Sequence, residues 1–258
     1  MLLAIDIGNT NMEFGVFKGS EIMASFRLGT NRDITSDEVG LFASQFFLNN
    51  HIDRTDIDDI IIASVVPQVM YSVTNAIKKY FYNKVPLVVG DNIDLDIINL
   101  YDNPGDVGAD RLVASIGAHH KYGGPLIVVD FGTATTFDAI GKNGEYLGGA
   151  IYPGIKISMD ALFNKTAKLP RVELVRPERV IGRNTIVSLQ SGIVNGYVGA
   201  VTHIISLIQN ELGASARVIA TGGLARLIDD ASDAFETIDR SLVLDGLRII
   251  YDRYQEKR

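Results

Sequence analysis

The chain has 258 residues, 47% of them hydrophobic and 21% charged, which is enough material for two ordinary globular domains or one large one without disulfide or metal staples. Its net charge of −7, with no Lys/Arg-rich run, argues against nucleic acid as a partner. Cysteine is absent, which excludes disulfides, thiolate catalysis and Cys-based zinc sites and agrees with a reducing cytoplasm.

Met1 to Ile5 have no basic residue and Asp6 follows at once, so the start does not read as a signal peptide. Leu2–Ile7 is a short apolar run and predicts a buried strand. Met12–Phe17 and Glu21–Leu28, separated by the turn residues Lys18–Ser20, extend it to a three-strand meander. Ser36, with Asp37 and Glu38, opens a helix that ends near Asn49. Asp59–Val65 predicts a strand, Pro67 the first turn of a helix reaching about Phe81, and Val85–Val89 another strand. The second half begins with a helix from about Asp106 to Lys121. Strands follow at Leu126–Asp130, Thr135–Ile140 and Tyr146–Ile151, and a helix after Pro153-Gly154. Ile186 to Gln209 contains no Asp, Glu, Lys or Arg, but Gln190, Asn195 and His203 are costly in lipid, so it reads as a long buried helix and not a membrane span. Gly192, Gly196 and Ala200 recur every four residues there, giving a face that admits a second helix closely, within the chain or across a dimer. Strand Arg217–Ala220, a short helix from Leu224 and a last helix over about Leu242–Gln255 complete the chain. Strands alternating with helices, and a hairpin opening each half, predict an α/β protein with mixed sheets.

The halves echo one another. Leu3 to Asn11 and Ile127 to Thr135 align at an offset of 124 residues, each an apolar strand running into Asp-x-Gly and a Thr/Asn-rich turn, which suggests duplicated domains. In Asp6-Ile7-Gly8-Asn9-Thr10-Asn11 the glycine permits a tight bend, and the turn's N–H groups and side chains can cradle phosphate oxygens. Asp6 suits a hydrated Mg²⁺, because that ion prefers carboxylate oxygen. The same residues also make an ordinary capped hairpin turn. Asp130-Phe131-Gly132-Thr133-Ala134-Thr135-Thr136 repeats the chemistry, and two such turns predict a phosphate clamp between two domains. Thr221-Gly222-Gly223, between a strand and a helix, either admits a flat ligand such as adenine against the backbone or is a plain turn.

Gly108-Ala109-Asp110-Arg111 begins a helix. Asp110 is either a dipole-favoured cap or the acceptor of a hydroxyl proton in phosphoryl transfer. Arg111 either holds an anion through its fork or forms a plain ion pair. The Walker lysine loop, G-x-G-x-x-G, H-E-x-x-H and EF-hand patterns are all missing. The four histidines, His51, His119, His120 and His203, form no ligand pattern and read as structural or solvent-facing.

Taken in order, Asp-Ile-Gly-Asn-Thr-Asn, Gly-Ala-Asp-Arg, Asp-Phe-Gly-Thr-Ala-Thr-Thr and Thr-Gly-Gly resemble the type III pantothenate kinases, within the acetate kinase, sugar kinase, heat-shock chaperone and actin superfamily. The Asp-x-Gly turns are shared across that superfamily. Gly-Ala-Asp-Arg and Gly182-Arg183-Asn184-Thr185 narrow the resemblance, which spans nearly the whole chain.

The resemblance implies an α/β protein of two duplicated ribonuclease-H-like domains, the actin-like ATPase fold, divided here as residues 1–118 and 119–258. It implies a homodimer; the acidic charge, the missing cysteine and the polar residues of the long helix add the expectation of a cytoplasmic protein bound to neither nucleic acid nor membrane. The activity implied is ATP-dependent phosphorylation of pantothenate, the first step toward coenzyme A. ATP would be bound by Asp6, Ile7, Gly8, Asn9, Thr10, Asn11, Met12 and Glu13, with Thr133, Gly222 and Gly223. Pantothenate would be bound by Tyr101, Gly108, Ala109, Asp110, Arg111 and Thr185, with Asp110 as proton acceptor and Thr185 acting with the partner subunit. Mg²⁺ would be held by Asp6 through water and a monovalent cation, K⁺ or NH₄⁺, by Asp130. The alternatives are a kinase of the same superfamily for another hydroxylated metabolite, or a nucleotide-binding regulator.

Overall fold

The computed structural model describes residues 1–213 and 216–258, which form two compact units. The first is built on strands β1 (Leu2–Ile7), β2 (Asn11–Lys18), β3 (Glu21–Gly29), β4 (Asp59–Ser64) and β5 (Leu87–Val88), in the spatial order β3-β2-β1-β4-β5. β1 pairs antiparallel with β2 and parallel with β4, so the buried apolar run Leu2–Ile7 lies at the centre of the sheet. Helices α1 (Ser36–Asn49) and α2 (Pro67–Tyr80) cover one face, where Phe47, Val69, Val73 and Ile77 join Leu3, Ile5, Ile7, Met12 and Phe14 in one core.

The cap of α1 is Thr35, one residue before the Ser36 start read from sequence. Its hydroxyl accepts from the Glu38 N–H at 3.2 Å while the Glu38 carboxylate accepts from the Thr35 N–H at 2.8 Å, a reciprocal capping box. β5 is shorter than the expected Val85–Val89. Pro86 has no N–H to donate, and the Val88 N–H goes to the Asn92 side chain at 2.6 Å. A turn of 3-10 helix at Pro104–Asp106 delays the next helix, α3, to Ala109–Tyr122.

The second unit carries β6 (Leu126–Phe131), β7 (Ala134–Ile140), β8 (Tyr146–Pro153), β9 (Arg217–Gly222) and β10 (Thr237–Ile238), in the order β10-β9-β6-β7-β8. Read from the meander edge this is the same order and the same mixture of pairings as the first sheet, so the echo at 124 residues corresponds to a repeated topology. Both sheets are ribonuclease-H-like, as the resemblance implied. Helices α4 (Ile155–Lys165), α5 (Thr185–Leu212) and α6 (Ala225–Ser232) follow, and Tyr197, Val201 and Ile205 of α5 pack on Ile127, Val129 and Phe137. By length and composition α5 is the one helix among the described residues that could span a membrane. Its Val194, Tyr197, Val201 and Ile205 are nevertheless buried within the unit.

The two units are not divided at a single point in the chain. The first unit holds Met1–Ile97, Asp102–His120 and Ser241–Arg258; the second holds Ile98–Tyr101 and Lys121–Arg240. The C-terminal helix α7 (Leu242–Glu256) packs on β1, β2 and β4, with Leu244 against Gly15 and the Tyr251 hydroxyl bonded to Asp59. The crossing of α7 with α3 is close because both helices offer a glycine. A Cβ at Gly246 would lie 2.2 Å from the Val113 carbonyl, and one at Gly117 2.7 Å from the Leu242 carbonyl.

Candidate functional site

In the first unit, β1 carries Asp6 to its carboxyl end, opposite Glu13 of β2 and Ala63 of β4. The hairpin that follows is tight: the Gly8 N–H donates to the Asn11 carbonyl at 2.9 Å, and a Cβ on Gly8 would stand 3.3 Å from that oxygen. A strut from the next loop fixes it, since the Thr30 hydroxyl donates to the Gly8 carbonyl at 2.7 Å and the Thr30 N–H to the Thr10 carbonyl at 2.8 Å. Asn9, Thr10 and Asn11 are exposed at the tip, as a turn that receives phosphate requires. The side chains of Ile7 and Met12 lie in the core, so these two can contribute backbone groups only. Glu13 forms an ion pair with Arg27 at 2.6 Å.

Asp110 is half-buried in the first turn of α3. Its Oδ1 accepts from the Arg111 N–H at 2.8 Å. A Cβ on Gly108 would be 2.5 Å from that oxygen and 3.3 Å from Val65, so the glycine makes room for the carboxylate. Burial pushes the Asp110 pKa above the usual carboxylate range, against the opposing pull of the Arg111 N–H and guanidinium. A carboxylate held less acidic than usual, at a helix N-terminus and beside an arginine, is suited to accept a proton.

In the second unit the ends of β6 and β9 lie side by side, Asp130 opposite Thr221 and Phe131 opposite Gly222. The Gly132 N–H donates to the Ala134 carbonyl at 3.1 Å, closing the second hairpin turn, and Thr133 is exposed at its tip. Gly222 has φ +89°, and its missing Cβ would lie 2.6 Å from the Phe131 carbonyl and 2.7 Å from Asp130 Oδ1. Two sequence-distant motifs thus meet, with the Phe131 carbonyl and the Asp130 carboxylate packed on the Gly222 backbone at the carboxyl ends of adjacent parallel strands. Gly223 faces open space.

Sequence reasoning missed what stands behind this turn. A Cβ on Gly154 would strike the Thr133 carbonyl at 2.2 Å, and Tyr197 of α5 hydrogen-bonds the Thr135 hydroxyl. Pro153-Gly154 was visible only as a helix start.

Thr185 is the exposed first residue of α5. The cap is Asn184, whose side chain accepts from the Val187 N–H at 2.9 Å. Tyr101 sits in the short segment that joins β8 and belongs to the second unit, whereas Gly108–Arg111 belong to the first.

Among the described residues no group of three or more His, Cys, Asp or Glu side chains could hold a metal by itself. Mg²⁺ takes one or two carboxylates together with substrate phosphates, and Asp6, at the carboxyl end of β1, is a carboxylate with the chemistry to serve as one. The carbonyl and carboxylate oxygens beside Gly222 are a hard donor set that fits a monovalent cation.

The family model for type III pantothenate kinase matches residues 2–207. Among solved structures, a protein of Campylobacter jejuni described as a Baf family transcriptional activator superimposes with a TM-score of 0.60 at 21% identity, covering 98% of this chain and 99% of its own. A Sinorhizobium meliloti protein assigned as a 2-dehydro-3-deoxygalactonokinase gives 0.64 at 10% identity, covering 98% and 96%. The activator of 2-hydroxyisocaproyl-CoA dehydratase from Clostridium difficile, with bound ADPNP, gives 0.57 at 11% identity, covering 99% and 96%. These likenesses are of fold.

Proposed function

Because the chain belongs to the type III pantothenate kinase family, we propose that it transfers the γ-phosphoryl group of ATP to the primary hydroxyl of pantothenate, giving 4′-phosphopantothenate and ADP for coenzyme A synthesis. The observation that carries the reading is Asp110: half-buried, less acidic than an ordinary carboxylate, and at the head of α3 in the Gly-Ala-Asp-Arg segment. Asp110 accepts the hydroxyl proton as the substrate oxygen bonds to the γ-phosphorus and the bridging oxygen leaves with ADP. Arg111, Gly108, Ala109, Tyr101 and Thr185 bind pantothenate. The first turn, Asp6 to Glu13, together with Thr133, Gly222 and Gly223, binds ATP. Asp6 would hold Mg²⁺ and Asp130 would hold K⁺ or NH₄⁺; these cations would supply positive charge against the phosphates in an acidic chain. The protein works as a cytoplasmic homodimer.

The test is ADP release from ATP with and without pantothenate, in K⁺ buffer and in Na⁺ buffer. Pantothenate-dependent turnover that needs K⁺ supports both the substrate and the cation at Asp130. Turnover indifferent to pantothenate overturns the substrate, and turnover equal in Na⁺ overturns the cation.

The described role of the Campylobacter jejuni protein favours one other reading, a nucleotide-binding regulator. The net charge of −7 opposes direct DNA contact, and an absence of any phosphotransfer together with retained ATP binding would favour that reading.

A further inference from the structure

Asp138 is a buried carboxylate that the mechanism does not use, exposed by only 1%. It lies on β7 on the face opposite the Phe137 side of the sheet, and burying such a group is costly unless its oxygens are bonded. Thr136 donates to Oδ2 at 3.1 Å, and the hydroxyl of Tyr146, itself fully buried, donates to Oδ1 at 2.8 Å. Tyr146 reaches that face through an irregularity in pairing. Ala139 pairs with Gly148 but Ile140 pairs with Tyr146, so Leu147 is an extra residue and the strand turns Tyr146 over. Gly148 takes φ +122° to allow this, and its open side is covered by the ring of Tyr101, 3.6 Å from where a Cβ would be.

Tyr146 also carries the backbone of the Tyr101 segment. Its N–H donates to the Ile98 carbonyl at 2.8 Å, and its carbonyl accepts from the Leu100 N–H at 2.9 Å. The two tyrosine rings are 6.3 Å apart at 48°, and the Asn99 side chain accepts from the Tyr101 N–H at 3.1 Å. One bulge therefore sets the ring, backbone and approach of Tyr101, and the Tyr146–Asp138 hydrogen bond holds that bulge in place.

We infer that Tyr146, anchored by Asp138, is the positioning residue for Tyr101 and thereby sets selectivity for the hydroxylated acid substrate. The inference rests on the reading of Tyr101 as a pantothenate contact.

The experiment compares the wild-type chain with Tyr146→Phe, Tyr101→Ala and the double variant, by steady-state kinetics in both substrates and by the ring resonances of Tyr101, assigned with Tyr101→Phe. Removing one hydroxyl should raise KM for pantothenate on the order of fivefold and move KM for ATP by less than about twofold. The double variant should lose no more than Tyr101→Ala alone, because Tyr146 acts through Tyr101. The Tyr101 resonances should shift or broaden in Tyr146→Phe. An unchanged pantothenate KM, equal rises in both KM values, a double variant with multiplied losses, or unmoved Tyr101 resonances would each overturn the inference. If the wild type ignores pantothenate, the substrate reading is what fails, and the Tyr101 resonances still decide the positioning. Should Tyr146→Phe not fold, Gly148→Ala, which strains the same bulge, is judged by the same criteria.

Discussion

At the scale of single residues, the role proposed for Asp110 carries a cost in stability. Burial raises its pKa, so between the ordinary carboxylate value of about 3.9 and the raised native value the folded state binds more protons than the unfolded state. Stability contributed by this group is therefore lost as pH rises through that interval and stays lost at neutral pH. Asp110→Asn removes the ionisation. It should lower kcat by about 10²-fold or more while raising the thermal midpoint at pH 7, and the gain should shrink as the scan buffer approaches pH about 4. A variant that keeps most of the rate ends the assignment of Asp110 as base. Gly222→Ala places a methyl into the Phe131 carbonyl and Asp130 carboxylate from a positive-φ backbone, so it should cost about 1–3 kcal/mol in denaturant unfolding and weaken the dependence on K⁺. Gly223→Ala points into open space and should cost far less.

At the scale of elements, the same contrast separates two helices. In α7, Gly246→Ala would drive a Cβ to 2.2 Å from the Val113 carbonyl of α3, where backbone must move, so roughly 1–3 kcal/mol of destabilisation is expected in urea unfolding. On α5, a Cβ at Gly196 meets nothing within 4 Å in its own chain, so Gly196→Ala should cost the subunit's own fold nothing by crowding, and any loss should appear in the proposed dimer instead. These elements also show what the sequence could and could not reveal. β1 and β6 were legible, with the Asp6 and Asp130 turns, because apolar runs stopping at Asp-x-Gly are local signals. The place of α7 was not: an amphipathic helix announces a face to bury but not the sheet that buries it, and Gly246 names no partner. β10 has two residues, too few for any period. The meeting of Asp130 with Gly222 needed the parallel pairing of β6 with β9, whereas Tyr146 and Asp138 stayed hidden because a one-residue bulge leaves no periodic mark.

At the scale of the whole molecule, the repeated sheet order gives each unit a central strand that delivers an Asp to a hairpin turn, and the helical connections on that frame differ. Between β3 and β4 lies the 14-residue α1, whereas between β8 and β9 lie α4 and the 28-residue α5, which spends one face on the second core. Its other face exposes Gly192, Gly196 and Gly199, flanked by Ile186 and Leu207, which are 52% and 49% exposed. Small residues let helix axes approach closely, and exposed Ile and Leu beside them gain by being covered. The proposed homodimer uses this face. Gly196→Leu tests it, since a Cβ at this exposed position meets nothing within 4 Å in the chain and Leu is the better helix former. Sedimentation should show a dimer for the wild type and a monomer for Gly196→Leu, with far-UV circular dichroism unchanged. Because Thr185 at the head of α5 is proposed to reach substrate with the partner subunit, the monomer should also lose most pantothenate turnover while still binding ATP. A wild type that sediments as a monomer removes the dimer. A Gly196→Leu variant that stays dimeric and active moves the interface off α5.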